Sequence, residues 1–457
     1  MILIITIVRF MNRFIKKIFT PLQLISLGFI ILILLGAFIL MLPISCEQAA
    51  SQNFIDALFT STSAVSTTGL IVVDTGSYYS LFGEIVILIL IQIGGLGYMV
   101  LFVLITLLLR SKLSITGKKY LRESLSRLSN IEIIKFVKLT ILFTIAFELT
   151  GALFYVSVFI DHFDTSDAIY ISLFHSISAF CTAGFSLFAD SLSGYGTNWL
   201  ININTFILVI AGSIGFFVIY DISHYLKGFI KRQPIKRFTL QTKIVLTASI
   251  FLYVIGAVLL FVLENDKFTN NFFDKILYSL FQSITASTTV GFNTVDIGSL
   301  TTAGLFVIII LMFIGGSPGS TAGGIKTTNL VIFSKFAIAA LREKKYVSVF
   351  KRTINSALFQ KAAALIFAAL ISITFFTFLL TVSEQADFIK ILFEAVSAFG
   401  TIGLSTGITP NLTPVGKMSI IVLMLIGRIG PLVIGLSLIP KARNNNYIYP
   451  EEEILIS

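Results

Sequence analysis

The chain has 457 residues, of which 56% are hydrophobic and 12% charged, with a formal net charge of +10. A mean hydropathy of +0.95 excludes an ordinary soluble domain and points to a polytopic membrane protein. The basic balance does not imply a nucleic-acid partner. Most of the 33 Lys and Arg fall in short segments near 9–17, 110–138, 227–243, 342–361 and 441–443. These alternate with acidic segments carrying Asp161, Asp164, Asp167, Glu264, Asp266, Glu384 and Asp387. The positive-inside rule then predicts that both termini are cytoplasmic.

The N-terminus carries a short apolar run, then Arg9, Arg13, Lys16 and Lys17, in an order unlike a cleaved signal peptide. Pro21 opens a first span predicted to run to about Leu42, since proline suits a first helical turn. Asn53 is a candidate cap for a short helix that follows. Later spans are predicted near 82–109, 136–160, 199–222, 240–263, 303–341, 359–382 and 417–439. Cys46 and Cys181 have no metal-like spacing, and His162, His175 and His224 are scattered. No nucleophile and base converge, so no enzyme is predicted.

One pattern recurs between paired spans. Leu58–Gly69, Leu173–Gly184, Leu280–Gly291 and Leu392–Gly403 all fit L-F-x-x-x-[S/T]-A-x-x-T-x-G. The hydroxyls are Ser63, Ser178, Thr285 and Ser397, and the alanines Ala64, Ala179, Ala286 and Ala398. Such self-similarity means one unit used four times. The apolar part of each copy is too short to span a bilayer but suits a re-entrant helix. The ends are Thr67-Thr68-Gly69, Thr182-Ala183-Gly184, Thr289-Val290-Gly291 and Thr401-Ile402-Gly403. Glycine there permits extended or left-handed backbone, and rings of carbonyls can replace a cation's hydration shell. An ordinary turn is the plainer alternative for one copy, but not for four in matched context.

Each second span holds G-x-x-G: Gly94/Gly97, Gly212/Gly215, Gly316/Gly319 and Gly427/Gly430. Small residues let helices approach closely in lipid, so packing is the simplest reading. The third copy expands into Gly315, Gly316, Ser317, Pro318, Gly319, Ser320, Thr321, Ala322, Gly323, Gly324, Ile325 and Lys326. A single helix over 303–341 would be about 58 Å long, and the glycines and proline oppose it. A polar intramembrane loop, acting as a gate, is predicted instead. The fourth copy places Arg428 in an apolar context, where a charge usually faces a cavity and could repel resting cations or pin the loop; a structural tie to a carbonyl or carboxylate is the alternative. Glu148 is a second buried-charge candidate, and Asp74, Asp190 and Asp296 are candidate vestibule acids.

In combination these motifs resemble the Trk/Ktr/HKT potassium transporter superfamily, over nearly the whole chain. The loop 315–324 and Gly427-Arg428-Ile429-Gly430-Pro431 look most like its KtrB branch. The resemblance implies an all-α polytopic membrane protein with four M1–pore helix–M2 repeats, pseudo-fourfold around one central pore. The repeats are expected at 1–110, 111–225, 226–341 and 342–457. It implies that Gly69, Gly184, Gly291 and Gly403 form the filter, that 315–326 is the gating loop, and that Arg428 is a pore arginine. Members with serine at the first filter glycine tend to prefer sodium, so Gly69 implies potassium. The Thr-x-Gly strands are shorter than the K+-channel filter and leave fewer stacked sites. A homodimer on a cytosolic ring of nucleotide-binding, KtrA-like subunits in the cell membrane is implied. Potassium is the implied cargo, with sodium a second candidate and no organic cofactor on this chain. A coupled solute or sodium carrier, and a non-transporting subunit of a membrane pump, stay as alternatives.

Overall fold

A computed structural model of the chain describes residues 21–48, 51–97, 130–230, 232, 237–265, 268 and 271–430. Four units follow one another, each a long helix, a short buried helix and a second apolar helix. The first has α1 (Pro21–Leu40), α2 (Phe54–Val65) and α3 (Leu81–Gly95). The second has α4 (Asn130–Phe159), α5 (Thr165–Phe180), α6 (Trp199–Ser213) and α7 (Phe216–Ile230). The third has α8 (Leu240–Leu263), α9 (Phe272–Thr288), α10 (Thr302–Phe313) and α11 (Thr327–Leu341). The fourth has α12 (Ser356–Ser383), α13 (Phe388–Gly400) and α14 (Pro414–Ile429). Residues 1–20, 98–129 and 431–457, including the ends of the spans predicted to reach 109 and 439, lie outside the described residues.

Local chemistry sets the boundaries. Asn53 Oδ1 accepts from Ile55 N at 3.2 Å and caps α2. Ser80, Asn198, Thr301 and Thr413 cap α3, α6, α10 and α14 in the same way. Glu264 and Glu384, which read as outer-loop acids, reinforce two of these starts. Glu264 accepts from Thr301 N at 3.1 Å, and Glu384 from Thr413 N at 3.1 Å. An acceptor at a helix N-terminus satisfies orphan donors and suits the dipole.

The short helices form the core. Phe59, Phe174, Phe281 and Phe393 are buried, as are the motif alanines. The long first helices surround them and turn large apolar side chains outward, as Leu153, Val262 and Phe367 do. That inverted surface is stable against lipid rather than water. Among the described residues, Phe136–Phe159, Leu240–Leu263 and Ser356–Ser383 are each long and apolar enough to cross a membrane. The chain is thus a multi-pass membrane protein. The second helix of each unit packs on the short helix of the next: α3 on α5, α6 on α9, α10 on α13, and α14 back on α2. The order is cyclic, so the four units close a ring.

Two expectations need correction. The span predicted at 199–222 is not one helix: α6 and α7 meet at 103°. Likewise, G-x-x-G is not only a packing motif. An added Cβ on Gly94, Gly212 or Gly427 would strike the carbonyl of Val65, Phe180 or Phe399, so these first glycines do pack closely. The second glycines, Gly97, Gly215, Gly319 and Gly430, have φ of 71°, 92°, 72° and 95°. A right-handed helix cannot run through that conformation, so the motif interrupts the helix in the second and third units and ends the described helix in the first and fourth.

Candidate ion filter and intramembrane loop

Each short helix ends in the same way. Thr67, Thr182, Thr289 and Thr401 have φ of 52°, 52°, 58° and 51°. The next residue's N–H reaches back to the motif hydroxyl residue: Thr68 N to Ser63 O and Ala183 N to Ser178 O at 2.8 Å, Val290 N to Thr285 O at 3.1 Å, and Ile402 N to Ser397 O at 2.9 Å. Each threonine N–H bonds the motif alanine's carbonyl. This is a Schellman end with threonine where glycine is usual. A β-branched residue there costs about 1–2 kcal/mol, and such strain persists only where the surroundings over-determine it.

The glycines that follow form a closed cycle. Gly69, Gly184, Gly291 and Gly403 have φ of 88°, 67°, 87° and 93°. A Cβ on Gly69 would collide with Ala183 O, on Gly184 with Val290 O, on Gly291 with Ile402 O, and on Gly403 with Thr68 O. It would lie 3.2, 3.2, 3.1 and 2.9 Å from the Cα of the next filter glycine. Four filter segments therefore meet around one point, each glycine against the neighbouring repeat's carbonyl. Ser63 Oγ and Ser397 Oγ accept from Gly69 N and Gly403 N at 3.0 and 3.2 Å, and Thr285 Oγ1 donates to Phe292 O at 2.8 Å. The motif hydroxyl thus braces its strand in three repeats by two different bonds.

The predicted break in the third unit is present. After α10 the chain forms β1 (Ile314–Gly315), loops out through Gly316–Gly324, and returns as β2 (Ile325–Lys326), parallel to β1. The loop lies against the motif threonines. Thr182 Oγ1 donates to Thr321 Oγ1 at 3.2 Å, and Gly323 N donates to Thr289 Oγ1 at 3.1 Å. A Cβ on Gly323 would meet Thr401 Oγ1. The second unit holds the other side. Ser317 N bonds Ser213 O at 3.0 Å, Thr321 N bonds Gly212 O at 3.2 Å, and Phe216 N bonds Gly319 O at 2.9 Å. The elbow between α6 and α7 is the seat of this loop.

Arg428 joins the same cluster. Its guanidinium donates to Thr321 O in the loop and to Gly94 O in the first unit. Lys326 Nζ donates to Ala322 O and Gly323 O. Three successive loop carbonyls are thus held by two cations. The sequence suggested Arg428 and a tie to the loop or to a carbonyl, but not which carbonyls, and these come from units far apart in the chain. Glu148 is buried nearby, receiving Gln92 Nε2 at 3.3 Å and Cys181 Sγ at 3.8 Å. Asp74 and Asp296 are caps of local turns, accepting from Ser77 N at 2.8 Å and Gly298 N at 2.9 Å.

Comparison with known proteins gives the chain's relatives. The family profile described as cation transport protein, TrkH, matches residues 15–447. The Ktr system potassium uptake protein B of Bacillus subtilis is 41% identical over 440 residues, covering 95% of this chain and 96% of that protein. The potassium/sodium uptake protein NtpJ of Enterococcus hirae is 37% identical over 455 residues, covering 98% and 99%. The crystal structure of the potassium transporter TrkH from Vibrio parahaemolyticus has the same fold, with a TM-score of 0.72 at 19% identity, covering 92% of this chain and 84% of that one.

Proposed function

The chain belongs to the TrkH family of cation transport proteins, and on that footing we propose that it is the potassium-translocating membrane subunit of a K+ uptake system. The observation that carries this reading is the closed cycle of filter glycines, each against the next repeat's carbonyl. A cation entering such a ring exchanges its hydration shell for fixed carbonyl oxygens. Thr67, Thr68 and Gly69, Thr182, Ala183 and Gly184, Thr289, Val290 and Gly291, and Thr401, Ile402 and Gly403 are its filter strands. The loop 315–326 is its gate, and Arg428 is the pin that holds the gate against the threonines. Four repeats in one cyclic order argue against a carrier built from two inverted halves.

The protein's own residues do three things in this scheme. The strained threonines end each short helix and turn the chain into the glycine segment. The glycines let four strands approach without side chains between them. The loop, held by carbonyls of Gly212 and Ser213 and by Arg428, obstructs the path until it is released. Potassium is the cargo, and sodium is a second candidate because NtpJ carries both in its name. No catalytic chemistry is assigned to the chain.

A Ktr-type system supplies the rest: a homodimer seated on a cytosolic ring of nucleotide-binding subunits, in the cell membrane, with both termini cytoplasmic. The repeats are assigned to 1–110, 111–225, 226–341 and 342–457. Expression in cells lacking their own potassium uptake tests this reading. Growth at low potassium is expected with the cytosolic partner supplied. No uptake of rubidium under that condition, with the protein present in the membrane, would overturn it.

A further inference from the structure

The third position of the repeated motif is not shared, and there the four repeats diverge. It holds Thr60, His175, Gln282 and Glu394, all buried. The first three make one tie each to the chain beyond the filter. Thr60 Oγ1 accepts from Tyr79 Oη at 3.1 Å, His175 Nε2 lies 2.9 Å from Ser186 Oγ, and Gln282 Nε2 donates to Thr294 Oγ1 at 3.4 Å. The side chain thus braces the strand's outer continuation from behind.

Glu394 does more. Its Oε1 accepts from Ser405 Oγ at 2.5 Å and from Thr406 N at 2.9 Å, and its Oε2 accepts from Thr409 Oγ1 at 2.9 Å. Every donor lies just beyond Gly403, so one carboxylate gathers the whole outer end of the fourth filter strand. The residue is 1% exposed. Among the described residues no basic side chain forms an ion pair with it. The backbone N–H of Thr406 can only donate, so Oε1 is an acceptor there, and both hydroxyls lie within hydrogen-bond reach of the carboxylate. A buried charge without a countercharge is costly, and its field in a poorly polarisable interior reaches further than in water. The filter beside it consists of neutral carbonyls, and the species that passes is a cation.

We infer that Glu394 is a positioning and countercharge residue of the ion path. It fixes the outer end of the fourth strand, and its negative charge is balanced by the cation in the filter rather than by a protein side chain. The inference rests on the filter assignment above and adds an electrostatic asymmetry to a nearly fourfold site.

The test is the concentration dependence of rubidium uptake by the full chain with its cytosolic partner, for Glu394→Gln, Glu394→Asp and Gly403→Ser. Glu394→Gln keeps the shape and removes the charge. The KM for rubidium is expected to rise roughly tenfold, equivalent to ~1.4 kcal/mol, with a smaller change in maximal rate. Glu394→Asp keeps the charge and is expected to hold KM within about twofold of the wild type, a far smaller loss of cation stabilisation. An unchanged KM in Glu394→Gln, with only less protein or a lower maximal rate, makes the residue a loop scaffold and overturns the inference. If the Gln variant does not assemble, Glu394→Asp decides alone: a KM raised tenfold despite the retained charge contradicts it. Gly403→Ser separates the two levels. If it leaves the rubidium-to-sodium preference unchanged, the filter assignment fails; if it shifts the preference while Glu394→Gln leaves KM alone, only the present inference fails.

Discussion

Lys417 Nζ lies 2.7 Å from Asp56 Oδ1, an ion pair between the last repeat and the first. Lys417 is near the start of α14, and Asp56 is in the first turn of α2. The chain itself joins repeats one to two, two to three and three to four. Nothing covalent joins four to one, so this pair fastens the ring where connectivity does not. At the equivalent place between the first two repeats, Tyr170 Oη donates to Glu84 Oε2 at 2.7 Å.

The first prediction concerns that clasp. Its side chains are only 15% and 23% exposed. Lys417→Met would leave Asp56 half-buried and unpaired, with an expected loss of about 1–3 kcal/mol. The double variant Lys417→Met with Asp56→Leu should recover most of it, because a partly buried pair can be replaced by apolar contact. Thermal unfolding in one detergent measures both. A double variant as unstable as the single one would remove the clasp from the account.

Thr321 offers a test of the loop as a gate. Its hydroxyl accepts from Thr182 Oγ1 at 3.2 Å and lies 3.3 Å from Phe180 O, which accepts from it. Thr321→Val keeps the shape and loses both bonds, weakening the closed arrangement by about 1–3 kcal/mol. Rubidium uptake without the cytosolic partner should rise, while uptake with the partner changes little. If uptake without the partner stays at the wild-type level, the loop is a fixed support rather than a gate.

Arg428 gives a graded version of the same experiment. One guanidinium bonds two carbonyls from different repeats, Thr321 O and Gly94 O. Glutamine is too short to span both, and lysine offers a point charge in place of a planar fork. Uptake without the partner is expected to increase in the order wild type, Arg428→Lys, Arg428→Gln. The reverse order at equal protein level would mean that the arginine assists ion passage rather than holding the loop.

How much of this the sequence reveals depends on whether a feature is repeated or local. Phe59, Phe174, Phe281 and Phe393 meet the same environment four times, so selection of one residue type leaves a readable pattern. The loop at 315–326 is legible because its glycines and Pro318 cannot be helical in any context. The elbow after Ser213 is not, since apolar residues continue on both sides and the bond that fixes it, Phe216 N to Gly319 O, comes from another repeat. Glu264 and Glu384 carry no local sign that they cap the helices starting at Thr302 and Pro414. Likewise Gln92, Glu148 and Cys181 meet only in three dimensions. Glu394 is hidden for the opposite reason: it occupies the position at which the four copies disagree.

If the four glycines form the ion filter, Gly291 is the position whose substitution should alter selectivity. Its φ is 87°, and a Cβ there would collide with Ile402 O and lie 3.1 Å from the Cα of Gly403. The measurement is rubidium and sodium uptake, with the cytosolic partner supplied, by wild type and Gly291→Ser in cells lacking their own potassium uptake. The wild type is expected to favour rubidium, and the variant to lose this preference at comparable protein levels. A variant that carries rubidium with its preference over sodium unchanged would contradict the filter assignment.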